Sequence, residues 1–245
     1  MSCIFHKKKS ADQIAGSLFY QRDDVGYWDL QENIHIFGHP TLEHLTIRKA
    51  KLDERGFDSL EKPSGTGLKE LHFIDCDIND DALSDILLHP EDLREFTMTH
   101  QEDPSPPLEE SPADAGDYIF ALNSAQHSLE TISIDSATLG GRKALRLRDF
   151  IALKTLQLRD FQLFGKTSKK PRLHSVGLPP ELETMKFFGQ IGEDEEVAEL
   201  LLNIIENKEI MARKWKKFII AKGVESVPEK ILEACKVVGL EVVGC

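Results

Sequence analysis

Leu68-Lys-Glu-Leu71-His-Phe73-Ile-Asp-Cys76-Asp-Ile78 places apolar residues at its first, fourth, sixth and last positions and a thiol at its ninth. Its opening phrase returns along the chain. It reads Leu42-Glu-His-Leu45-Thr-Ile47, Leu93-Arg-Glu-Phe96-Thr-Met98, Leu129-Glu-Thr-Ile132-Ser-Ile134, Leu153-Lys-Thr-Leu156-Gln-Leu158 and Leu182-Glu-Thr-Met185-Lys-Phe187. The copies start at 42, 68, 93, 129, 153 and 182, so they are spaced by 26, 25, 36, 24 and 29 residues. A phrase recurring at roughly 20–50 residues marks a stacked-repeat architecture.

Alternation at Leu45/Ile47 or Leu156/Leu158 has the period of two expected of a half-buried strand. One such strand cannot bury its apolar side alone, whereas stacked copies form a parallel sheet over a continuous core. The segment between copies supplies the second layer. In the stretch 78–88, Ala82, Leu83, Ile86 and Leu87 form a helical stripe, with Asn79 or Asp80 as N-cap and Pro90 beyond the stop. Asp194 to Asn207 reads as the longest helix. Trp215-Lys-Lys-Phe218-Ile-Ile220 reads as a degenerate seventh strand, Pro228 to Lys236 as a helix, and Val237 to Val243 as a closing strand. Before the first phrase, Ala11 to Phe19 is expected to be helical and Asn33 to Phe37 to be an extra strand.

The copy from Leu68 to Ile78 matches L-x-x-L-x-L-x-x-C-x-L, and here the chain resembles the leucine-rich-repeat family. Where that pattern has Asn or Cys to satisfy the turn after the strand, the other copies carry Ala50, Gln101, Ala137, Phe161 and Gln190. The expected fold is therefore α/β: a leucine-rich-repeat solenoid with a curved parallel sheet, helical or irregular returns and about 6–8 divergent repeats. Residues 1–33 form an N-terminal cap or flank and 34–245 the repeat domain, with an acidic Pro-rich insertion at 101–116 and capping elements at 194–245. The divergent repeats are similar to the substrate-recognition half of fungal-type F-box/leucine-rich-repeat proteins. Residues 1–40 hold no Leu-Pro-x-Glu opening, so a ubiquitin-ligase scaffold enters as a partner only with an F-box upstream.

Composition narrows the function classes. The net charge of −12 disfavours nucleic acid as the main partner. No apolar run reaches the roughly 18 residues of a membrane span. The N-terminus lacks the apolar stretch of a signal peptide, and Cys3, Cys76, Cys235 and Cys245 form no C-x-x-C pair. An intracellular protein, cytoplasmic or nuclear, is expected. Charge is uneven: Gln101 to Asp117 holds six acids and no base, while Lys208 to Lys222 holds six bases and one acid. A second basic stretch spans 165–181.

The search for chemistry finds no H-E-x-x-H, G-x-S-x-G or P-loop lysine motif. His44 precedes the second apolar position of its phrase and His72 follows it, an offset that argues against a shared metal. No catalysis, metal or cofactor is expected. The outward residues of the strands are the candidate partner-binding face: Arg48, His72, Ile74, Thr97, Ser133, Asp135, Gln157, Arg159, Lys186 and Phe188. Two readings follow. One is a non-catalytic protein-protein interaction scaffold, extending to the substrate-recognition module of an F-box-type ligase. The other is a stand-alone acidic binder or inhibitor of a basic protein.

Overall fold

The computed structural model describes residues 3–6, 16–20, 27–60, 65–100, 113–143, 145–165, 177–191, 194–223, 225 and 227–244. Each phrase becomes a strand. In chain order the strands are β1 (Cys3–His6), β2 (Gly16–Tyr20), β3 (Trp28–Asp29), β4 (Leu42–Arg48), β5 (Ala50–Leu52), β6 (Glu70–Ile74) and β7 (Asp77–Ile78). They continue as β8 (Glu95–His100), β9 (Thr131–Ser136), β10 (Thr155–Leu158), β11 (Thr184–Phe187), β12 (Lys217–Ile220) and β13 (Glu241–Gly244). Helices α1 (Asp80–Ile86), α2 (Ala115–Ala121), α3 (Asp160–Phe164), α4 (Glu195–Glu206), α5 (Lys208–Met211) and α6 (Glu229–Val237) lie between them.

The architecture is α/β. Eight strands, β4-β6-β8-β9-β10-β11-β12-β13, form a parallel sheet in which each strand pairs with the next along the chain. Strand β2 extends it parallel to β4, and β1 closes that side antiparallel to β2. A second, three-stranded parallel sheet runs β3-β5-β7.

Register explains why the phrase recurs. Its fourth residues stack as Leu45, Leu71, Phe96, Ile132, Leu156 and Met185, directly opposite one another. None is more than 1% exposed. The sixth residues, Ile47, Phe73, Met98, Ile134, Leu158 and Phe187, are equally buried. Parallel strands need crossover connections, and these supply the helical layer over the inward side. One continuous apolar cluster runs beneath the sheet from Trp28 to Leu240. Aromatic rings step along it: Phe37, Phe73 and Phe96 contact edge-on near one end. Near the other, Phe187, Phe218 and Trp215 do so, with Phe164 tilted against Phe187.

Local devices fix the returns. In α1, Asn79 is the N-cap and accepts from the Ala82 N–H at 2.8 Å, satisfying one orphan donor of the first turn. Its amide donates to Glu54 at 2.6 Å. Tyr118 on α2 donates to the Ile78 carbonyl at 2.6 Å, tying α2 to the previous copy. After β4 and β6 the backbone turns through Lys49 and Asp75, at equivalent places in their copies, with φ of 52° and 54°. These left-handed residues redirect the chain into β5 and β7.

The turn position marked by Cys76 is satisfied in two ways. The Cys76 thiol, 1% exposed, accepts from the Ala50 N–H at 3.4 Å and lies 3.4 Å from the carbonyls of Ile47 and Ile74. The Ala50 copy thus borrows its neighbour's sulfur. Further along, buried Gln162 donates to the Ser136 carbonyl at 3.0 Å and accepts from the Arg159 N–H at 2.9 Å. It does this one residue past the consensus place occupied by Phe161.

Several expectations are corrected. Residues 33–37 are not a strand but part of a 3-10 helix, Gln31–Gly38. Its buried residues, Ile34 and Phe37, are three apart, which suits three residues per turn and not alternation. Within the expected helix Ala11–Phe19, residues 16–19 belong to β2, and 11–15 lie outside the described residues. Of the insertion 101–116, residues 101–112 lie outside the described residues, as do 166–176 of the basic stretch. At the end of the insertion Ala115 and Gly116 already belong to α2, with Asp114 as its N-cap. Asp114 is buried and accepts from Gly116 N–H at 2.9 Å and from the N–H groups of Arg142 and Lys143, pinning the start of α2. The closing strand is shorter than Val237–Val243, because Val237 still belongs to α6.

Candidate protein-interaction face

Alternation that sends Leu45 and Ile47 inward sends the third, fifth and seventh residues of each phrase outward. Stacking in register turns them into rows. The first row reads His44, Glu70, Glu95, Thr131, Thr155, Thr184, Lys217 and Glu241. The second reads Thr46, His72, Thr97, Ser133, Gln157, Lys186, Ile219 and Val243. In the third, Arg48 is opposite Ile74 and Thr99 opposite Asp135, and Arg159 and Phe188 follow on the next copies.

The structure brings nine of the ten expected residues onto this face in half-buried or exposed positions: Arg48, His72, Ile74, Thr97, Asp135, Gln157, Arg159, Lys186 and Phe188. Ser133 is the exception. It is in register in the second row, yet only 6% exposed, its short side chain flanked by Thr97 and Gln157. It offers a partner little contact.

The face is internally wired. Arg159 Nε donates to Asp135 Oδ1 at 2.9 Å, joining β9 and β10. His44 Nδ1 lies 2.8 Å from Glu70 Oε2, and His72 Nε2 lies 3.2 Å from Glu95 Oε1. His44 and His72 therefore share the outward side, one row apart, each against a carboxylate of the next strand. Lys186 Nζ sits 4.7 Å from the centroid of Phe188, a cation–π contact within one strand.

A further row, outside the expected set, lies at the strand starts. The second residue of every phrase is charged: Glu43, Lys69, Arg94, Glu130, Lys154 and Glu183, continued by Lys216. Backbone hydrogen bonds link these positions from copy to copy along the strand starts. Lys69 pairs with Glu43 at 3.2 Å, Lys154 with Glu130 at 2.7 Å and Lys216 with Glu183 at 3.4 Å. Arg94 turns instead to Asp92 at 2.7 Å. Such solvent-screened pairs add little to stability, so their main consequence is a rim with few uncompensated charges. The signal was present in the sequence as a charge at a fixed phrase position.

The Cys76 and Cys235 thiols lie in the core, away from the face. Burial pushes the Cys76 thiol up to about 12 and the Cys235 thiol up to about 11, far from a reactive thiolate at neutral pH. Among the described residues no group of three or more His, Cys, Asp or Glu could hold a metal ion, and no helix is long and apolar enough to cross a membrane. No protein-family model matches the chain, and no curated protein matches it.

Proposed function

We propose that this chain is a non-catalytic protein-protein interaction scaffold, built as a leucine-rich-repeat solenoid, that presents the outward rows of its parallel sheet to another protein. The observation that carries the reading is the register. The same phrase positions fall opposite one another on consecutive strands, so invariantly apolar positions make the core and variable ones collect on one continuous outward side. Stacked-repeat proteins use such extended surfaces for binding. Mixed polar, charged and aromatic residues on that side suit a non-obligate interface better than a second core layer. The resemblance to F-box/leucine-rich-repeat proteins extends the proposal to substrate recognition for a ubiquitin ligase, the ligase contact residing in a separate F-box.

The test is site-specific photocrosslinking in the native host. A photoreactive phenylalanine analogue placed at Thr97 or Gln157, on the outward rows, is expected to capture a defined protein. The same analogue at Phe120 or Ile151, exposed on the helical side, is expected not to. Equal capture from both sides would reject the outward face as the binding surface.

A further inference from the structure

One end of the outward face has a character of its own. Lys186 on β11 and Lys217 on β12 occupy neighbouring places, with Lys186 opposite Ile219 and Lys217 opposite Thr184. Among the described residues neither lysine forms an ion pair, whereas Lys69, Arg94, Lys154, Arg159, Lys214 and Lys216 each meet a carboxylate. Glu241 stands opposite Lys217 in register without pairing to it. Half-buried Ile219 and Val243 follow Lys186 in its row, and half-buried Phe188 lies under the Lys186 ammonium. This end also carries the basic stretch Lys208 to Lys222, six bases to one acid, in a chain of net charge −12.

Resting on the interaction-face reading, we propose that Lys186, Lys217, Phe188, Ile219 and Val243 anchor an extended acidic segment of the partner, one in which carboxylates and aliphatic side chains alternate along the side that faces the sheet. An extended segment repeats its side chains about every 7 Å on one side, and strands of the sheet lie about 4.8 Å apart. A carboxylate and an aliphatic group two residues on therefore match Lys217 and Ile219, two residues apart on β12, and Lys186 and Phe188, two residues apart beside them. Two unpaired cations supply the complementary potential, and the apolar members supply the desolvated centre that a purely ionic contact lacks. The chain's overall charge favours basic partners at long range, so this patch acts by local contact. A phosphodiester backbone fits less well. It would gain nothing from Phe188, Ile219 or Val243.

Fluorescence anisotropy with the full chain tests this directly. The probe is a labelled Asp/Leu peptide repeating Asp-Ser-Leu-Ser, which puts Asp and Leu on one side when extended; comparators are an all-Asp peptide, a Lys/Leu peptide repeating Lys-Ser-Leu-Ser and oligodeoxythymidylate of similar length. The Asp/Leu peptide is expected to bind most tightly. Lys186→Glu with Lys217→Glu should weaken it at least tenfold, and Phe188→Ala several-fold. Lys154→Glu, at a strand start elsewhere on the face, should change it less than twofold. Thermal melts of each variant separate lost binding from lost fold. Equal or tighter binding of oligodeoxythymidylate or the all-Asp peptide would overturn the proposal, as would indifference to the double charge reversal in a folded variant. Photocapture at Thr97 and Gln157 that persists despite such failure would sink only this patch; its loss from the outward side would sink the face itself.

Discussion

At the scale of single residues, the instructive positions satisfy backbone groups at the turn after each strand. Cys76 was legible because it falls on a consensus place, and its bonds to the copy before it explain why Ala50 needs no polar side chain of its own. Gln162 was not legible. A pattern match assigns the turn to Phe161, and nothing local says that the next residue reaches back both to the Ser136 carbonyl and to the Arg159 N–H. Gln162→Leu would leave that carbonyl and that N–H without side-chain partners in a buried turn, at about 1–3 kcal/mol per group. We expect a loss of about 2–4 kcal/mol in urea unfolding, while Gln157→Leu on the outward row stays within about 0.5 kcal/mol. Equal midpoints for the two variants would mean that water replaces the Gln162 amide.

At the scale of elements, the strands were legible because a period of two beside an invariant Leu leaves few alternatives. Helix α1 was legible from its apolar stripe and its cap. The 3-10 helix at Gln31–Gly38 and strand β2 were not, because short segments of mixed pattern take their structure from what they pack against. Element ends also carry unfavourable charges. Asp80, at the first position of α1, is held above the usual carboxylate range chiefly by burial, with Asp81 and Asp117 adding repulsion. The helix dipole and Lys143 pull the other way without cancelling this. An acid whose folded-state value is raised costs stability wherever it is ionised, and the cost fades as pH falls through that value. Asp80→Asn is therefore expected to raise the melting temperature at pH 7, with the gain shrinking toward zero near pH 3. A gain that grows on acidification would show that the Asp80 carboxylate stabilises the fold.

At the scale of the whole molecule, sequence order along the sheet was legible from the spacing of the copies, because strands joined by 24–36-residue steps stack in turn. The paired rim and the unpaired Lys186/Lys217 end were not. Ion pairing depends on rotamers and register that a pattern does not carry. The topology has a mechanical consequence. In the long sheet each strand from β6 to β12 pairs only with the strands of the copies on either side of it, so a defect in one copy is passed on through nearest-neighbour contacts. Phe187 is the place to introduce one, since it packs at 5.9 Å from Phe164 and 5.6 Å from Phe218, linking three copies through ring contacts. Phe187→Ala should cost about 3–5 kcal/mol. In hydrogen exchange we expect amides of β10, β11 and β12 to accelerate most, those of β8 and β9 less, and those of β4 and β6 least. A uniform acceleration across the sheet would instead show that the continuous core couples all copies into one cooperative unit, and that the neighbour-to-neighbour arrangement governs the geometry of the sheet but not its unfolding.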